Sequence, residues 1–240
     1  DALEEEAKSI SCDRGTGPFK LMTHQMVVKD YINLYTPYRG LLIYHGLGAG
    51  KTCSSIAIAE GMKRSNQVVV MTPASLRDNY IAELKTCGDI LYKLNNHWEF
   101  KETNGDKDKE EELAYLLNIP VNIIKKTGGA WFVNLKKEQN YDKLTRDEQI
   151  SLNNQIDYMI STKYRFINYN GMRMRSFDDL KEADSDNFFN NKVVIIDEAH
   201  NFVSRIVNKI QKQKKGDLSA SLSTRLYNYL MRAENARIIL

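Results

Sequence analysis

The run Gly46-Leu47-Gly48-Ala49-Gly50-Lys51-Thr52 combines the parts of a phosphate-binding turn. Glycines let successive backbone N–H groups approach an anion without side-chain obstruction, and a helix that starts directly afterwards adds its positive end. In such a turn Lys51 neutralises the β- and γ-phosphates of a nucleotide, and the Thr52 hydroxyl ligates Mg²⁺. The strict pattern begins with a glycine where this chain has His45, but Gly48, Gly50, Lys51 and Thr52 keep their places. A second set of chemical groups, Asp197-Glu198, follows the apolar run Val193-Val194-Ile195-Ile196. In an open α/β sheet, ligands bind at the C-terminal ends of strands. There the Asp197 carboxylate suits a Mg²⁺ ion, and Glu198 suits polarising an attacking water. Lys51, Asp197 and Glu198 are therefore the expected catalytic set, and each half of it is persuasive because the other half is present.

Groups this specific need a rigid scaffold. Leu41-Leu42-Ile43-Tyr44 and Val68-Val69-Val70-Met71 are short apolar runs without alternation, the pattern of strands buried on both faces of a parallel sheet. A helix is expected from about Lys51 to Met62, and another on Leu76, Tyr80 and Leu84. The order strand, helix, strand, helix calls for α/β architecture. Thr23 is placed to cap a helix with Val27, Val28, Tyr31, Ile32 and Tyr35 on one face. From Gly88 to about Gln155 the rhythm breaks, so residues 88–155 are expected to be a largely helical insertion. Within it, Val121 to Asn134 has strand-like pieces around Gly128-Gly129, and Thr145-Arg146-Asp147-Glu148 has capping-box spacing. Residues 1–18 form a loose lead-in, and the closing Arg237-Ile238-Ile239-Leu240 suggests a chain cut inside a larger fold.

Composition narrows the class further. The 240 residues are 42% hydrophobic and 27% charged, with a net charge of +3, which excludes a bulk polycation that grips nucleic acid by charge alone. Three cysteines without a C-x-x-C pair exclude a disulfide-dense framework and a cysteine-rich zinc site, and His24, His45 and His97 are too scattered to hold a metal. No apolar stretch approaches the roughly 18 residues of a membrane span, so no membrane partner is expected.

Taken together, Gly48-Ala49-Gly50-Lys51-Thr52 and Asp197-Glu198-Ala199-His200 resemble motifs I and II of superfamily 2 helicases of the DEAH-box type. The supporting motifs fall in order. Leu21-Met22-Thr23-His24-Gln25 looks like the Q-motif region, and Val70-Met71-Thr72-Pro73-Ala74-Ser75-Leu76 looks like motif Ia. Tyr44 to Thr52, Phe166-Ile167-Asn168-Tyr169-Asn170-Gly171 and Asp197-Glu198-Ala199-His200-Asn201 are together similar to the helicase-like ATPases of large nucleocytoplasmic DNA viruses. Relatives there include the small subunit of the poxvirus early transcription factor and nucleoside triphosphatase I. The resemblance spans Phe19 to Leu240 and implies a RecA-like P-loop lobe, with a mostly parallel sheet flanked by helices, of an ATP-hydrolysing motor.

By the same resemblance, Gln25 would read the adenine and Gly46, Gly48, Ala49, Gly50, Lys51 and Thr52 would hold ATP. Thr52 and Asp197 would serve Mg²⁺, Thr72, Pro73 and Ser75 would hold a nucleic-acid strand, and His200 would couple the two sites. The implied partners are DNA or RNA, a second RecA-like lobe outside this chain and viral transcription machinery. The implied setting is the infected-cell cytoplasm or the virion. Without the second lobe, whose arginine finger is worth about 10³ to 10⁵ in rate, the lobe alone should be nearly inactive. Two rivals stay open: an ATPase that moves on duplex DNA without unwinding it, and a module that holds nucleotide only structurally. Lys209 to Lys215 offers either phosphate contacts or a solvated helix end, and Tyr169 either stacks on a base or packs beside a strand.

Overall fold

A computed structural model of the chain describes residues 21–33, 35–46, 48–62, 67–170, 172, 187–212 and 222–240. The lead-in 1–18 and the side chains of Lys209–Lys215 lie outside the described residues. In chain order the elements are α1 (Thr23–Tyr31), β1 (Gly40–Leu41), α2 (Lys51–Met62), β2 (Gln67–Thr72) and α3 (Arg77–Cys87). Then come β3 (Trp98–Glu102), α4 (Lys107–Leu117), α5 (Val121–Thr127), β4 (Gly129–Val133) and α6 (Arg146–Lys163). The series ends with β5 (Tyr164–Asn168), β6 (Lys192–Ile196), α7 (Ala199–Lys212), α8 (Leu222–Met231) and β7 (Arg237–Ile239). The chain divides into two compact units, one of residues 1–83 and 164–240, the other of residues 84–163. The second takes in the whole stretch 88–155.

The first unit is a RecA-like α/β lobe. Its five strands are ordered β1-β7-β6-β2-β5, and every neighbouring pair is parallel. The central strands are apolar on both faces because both faces are covered. Val68, Val69, Val70, Val193 and Val194 have no exposed surface. Strand alternation sends Val69, Met71, Val194 and Ile196 to one side, where they pack with Phe202, Ile206, Leu226 and Leu230 from α7 and α8. Burying each such side chain contributes about 1.5–3 kcal/mol, so this face anchors the ends of β2 and β6 firmly.

Two expectations fail at the margin of this unit. Leu41 to Tyr44 does not form a strand buried on both faces: Leu42 is 64% and Tyr44 is 91% exposed. The reason is position, since β1 is an edge strand and the pairing ends with the Ile43 N–H on the Leu240 carbonyl at 2.7 Å. The apolar face expected for α1 forms only in part: Ile32 is buried and Val28 half-buried, but Val27, Tyr31 and Tyr35 are exposed and the polar Gln25 is buried. Met22, one residue before Thr23, is its N-cap.

The second unit pairs β3 with β4 in an antiparallel ribbon beside α4, α5 and α6. The strand pieces expected between Val121 and Asn134 resolve into a helix and a strand. Pro120 caps the N-terminus of α5, and Gly128, at φ +71°, closes it in the left-handed region before β4 begins. The capping box at α6 is present. The Thr145 N–H donates to Glu148 Oε2 at 2.7 Å, and the Glu148 N–H donates to Thr145 Oγ1 at 3.3 Å. The Thr145 N–H and the Thr145 hydroxyl, which donates to Oε2 at 2.8 Å, hold the Glu148 carboxyl below the usual range.

A two-stranded ribbon leaves backbone groups facing outward, and here side-chain amides take them. Gln155 Oε1 accepts from the Trp131 N–H at 2.8 Å, and Gln155 Nε2 donates to the Trp131 carbonyl at 2.9 Å. Asn140 does the same for Trp98, accepting from its N–H at 2.7 Å and donating to its carbonyl at 2.9 Å. Trp131 and Trp98 are 4% and 2% exposed, so water does not replace these bonds freely. Gln155→Ala should therefore cost about 1–3 kcal/mol, the penalty of orphaned buried groups. Thermal unfolding followed by circular dichroism should show a midpoint lowered by several degrees.

Candidate nucleotide site

The loop after β1 is shaped by two glycines with positive φ, Gly48 at +76° and Gly50 at +69°. The Ala49 N–H donates to the Gly46 carbonyl at 3.3 Å, and the Gly50 carbonyl accepts from the Ser54 N–H at 2.9 Å as α2 begins. Lys51 Nζ folds onto the loop, donating to the His45 carbonyl at 3.1 Å and the Gly46 carbonyl at 3.3 Å. Those are weak, exposed acceptors, which a phosphate would outcompete through charge. His45, in the place of the pattern's first glycine, sets its ring edge against His24 at 5.0 Å.

Helix α1 grips the loop at two neighbouring carbonyls. His24 Nε2 lies 3.0 Å from the Ala49 carbonyl, and Gln25 Nε2 donates to the Gly50 carbonyl at 3.1 Å. Gln25 Oε1 accepts from the Met22 N–H at 2.9 Å, and the residue is 2% exposed. Both ends of the amide are thus engaged by the protein, and reading an adenine would require releasing them. Gln25→Ala tests the two roles directly. A loop-holding amide predicts that ATP and GTP affinities weaken together, by about tenfold; an adenine reader predicts loss for ATP alone. Fluorescent-nucleotide titration of both distinguishes them.

The carboxylate pair stands at the end of β6. The Asp197 N–H continues the ladder onto the Met71 carbonyl at 2.9 Å, and Thr72 Oγ1 donates to Asp197 Oδ2 at 3.3 Å. Burial raises the Asp197 pKa, the charge of Glu198 raises it further, and the Thr72 hydroxyl opposes both. Glu198 has φ +51°, left-handed although it is not glycine, and its Oε2 lies 3.2 Å from His200 Nδ1 at the exposed mouth. Lys51, Thr52, Asp197, Glu198 and His200 all line one cleft of about 330 Å³, the size range of a small-molecule site. Two adjacent carboxylates that repel one another, sharing a cleft with a threonine hydroxyl, are a hard oxygen donor set and fit Mg²⁺.

The residues expected to hold a nucleic-acid strand separate in the structure. Thr72 has no exposed surface, because it ends a central strand between β5 and β6, and its hydroxyl faces Asp197 and the Pro73 carbonyl. Pro73 is buried as well, and Ser75 alone of the three is exposed. The Thr72–Asp197 link was not legible from spacing, since the two are far apart in sequence and meet only through strand pairing.

A fully parallel sheet, a glycine turn that runs into Lys51-Thr52 at the start of α2, and an Asp-Glu pair closing β6 define a P-loop lobe of the superfamily 2 helicase class. The family described as type III restriction enzyme, res subunit, matches residues 19–223, and the chain belongs to it. Viral proteins are among its relatives. One of Acanthamoeba polyphaga mimivirus, named as an ATP-dependent RNA helicase, is 45% identical over 75 residues, covering 31% of this chain and 13% of its own length. One of invertebrate iridescent virus 3, named as a helicase, is 33% identical over 97 residues, covering 33% of this chain and 10% of its own. The African swine fever virus termination factor NPH-I homolog is 25% identical over 201 residues, covering 84% of this chain and 19% of its own. This chain thus spans less than a fifth of the length of each of these relatives. No solved structure matches it.

Proposed function

We propose that the chain is the ATP-binding motor lobe of a longer nucleic-acid translocase that works in viral transcription or genome handling. One observation carries this reading: the Lys51-Thr52 end of the loop and the Asp197-Glu198 pair open onto the same cleft. ATP binds with its phosphates on Gly46 to Thr52, where Lys51 exchanges its two carbonyl contacts for phosphate oxygens. Thr52 and Asp197 hold Mg²⁺, which when bound neutralises charge on the phosphates. Glu198 orients the attacking water and accepts its proton, and the exposed His200 beside it carries the state of the site outward. Movement comes from opening and closing against a second RecA-like lobe of the full-length protein, with the arginine finger supplied from there.

The match over 84% of the chain to a protein named as a termination factor homolog supports a role in transcription. The setting that goes with it is the infected-cell cytoplasm or the virion, and no helix among the described residues is long and apolar enough to cross a membrane. The test uses the full-length protein. DNA or RNA should stimulate its Mg²⁺-dependent ATPase, and a translocation assay run beside strand displacement separates the two modes of movement. ATP hydrolysis indifferent to any nucleic acid would sink the motor reading.

A further inference from the structure

Glu198 sits in a conformation that a non-glycine residue avoids. Its φ of +51° places it in the left-handed region, at a cost of about 1–2 kcal/mol, so the surroundings must hold it there. The hydroxyl of Tyr169, one residue beyond β5, lies 3.1 Å from the Asp197 carbonyl and 3.2 Å from the Glu198 carbonyl. One O–H thus bridges the two peptide carbonyls on either side of the strained φ. The Glu198 carbonyl also accepts from the Asn201 N–H at 2.9 Å, which starts α7. Tyr169 is itself fixed: it is 6% exposed and meets Phe202 edge to face, with ring centroids 5.5 Å apart.

We propose that Tyr169 is a positioning residue for hydrolysis, its hydroxyl clamping the Asp197–Glu198 turn so that the Glu198 carboxylate faces the water site. The inference rests on the role given to Glu198 above. Tyr169→Phe removes the donor and leaves the ring, so the turn relaxes toward ordinary backbone and the carboxylate loses its aim. Misplacement of an attacking geometry by about 1 Å costs up to 10²-fold.

The experiment measures steady-state ATPase of full-length protein with saturating nucleic acid. Y169F should lower kcat about tenfold and leave KM for ATP within about twofold. Added to Glu198→Gln, it should cause no further loss, because the group it aims is already gone. Leu230→Ala loosens the same core but leaves Tyr169 and Phe202 in place, and should lower Tm while keeping kcat within about twofold. A wild-type kcat for Y169F, multiplication of its loss with that of E198Q, or an equal kcat loss in L230A would each overturn the clamp. E198Q turning over ATP at the wild-type rate would instead overturn the reading of Glu198, and the clamp with it.

Discussion

Glu198→Gln should slow ATP turnover by the full-length protein about 10²- to 10³-fold, the usual worth of a general base, while ATP still binds. The substitution keeps size and one acceptor oxygen but removes the ability to take a proton from water. Binding survives for a reason specific to this site. The groups that would hold the nucleotide, Lys51 and Thr52 at the end of the loop and Asp197 across the same cleft, are all left in place. The signature is therefore a split, with kcat collapsing and the ATP dissociation constant within about threefold of wild type. Single-turnover hydrolysis beside fluorescent-nucleotide titration checks both halves. A variant that lost binding and turnover equally would assign Glu198 to holding the ligand instead.

The second large effect belongs to Gly50→Ala, which should weaken nucleotide binding about 100-fold and lower thermal stability. Two costs coincide at one atom. At φ +69° any β-carbon carries about 1–2 kcal/mol of left-handed strain, and this one would stand 2.5 Å from Gln25 Nε2. The amide of Gln25 must then move, abandoning its buried bonds to the Gly50 carbonyl and the Met22 N–H. Loss of a buried hydrogen bond costs a further 1–3 kcal/mol or so. Gly48→Ala is the control, since Gly48 shares the positive φ but a β-carbon there meets nothing within 4 Å. It should show the strain alone, and the difference in Tm between the two variants measures the grip of α1 on the loop.

What was legible in the sequence follows a pattern. Gly48, Gly50, Lys51 and Thr52 announce themselves because the turn demands those residue types, and Val193 to Ile196 announces a central strand because only apolar residues survive there. Groups whose meaning depends on direction were not legible. The resemblance puts Gln25 at the nucleotide but does not say that its amide faces the protein rather than a base. Thr72 falls within a motif-like run, yet its place between β5 and β6 buries it and turns its hydroxyl to Asp197. Leu42 and Tyr44 look like core because an edge strand and a central strand differ only in what pairs beside them. Val121, Ile123 and Ile124 look like strand because β-branched residues do; Pro120 and Gly128 overrule them. The positive φ of Glu198 has no counterpart in its residue type at all.

The amide side chains that bracket Trp98 and Trp131 have a consequence for how the second unit meets other molecules. An exposed ribbon edge is an invitation to strand addition, by a partner or by another copy of the chain. Here any incoming strand would first have to displace Asn140 or Gln155, each of which already makes both bonds that the strand would offer at that position. Association of this unit with a partner is thereby directed away from these edge positions and onto helix surfaces and side chains, and a ribbon that would otherwise invite fibrillar pairing is kept sealed at its two tryptophans.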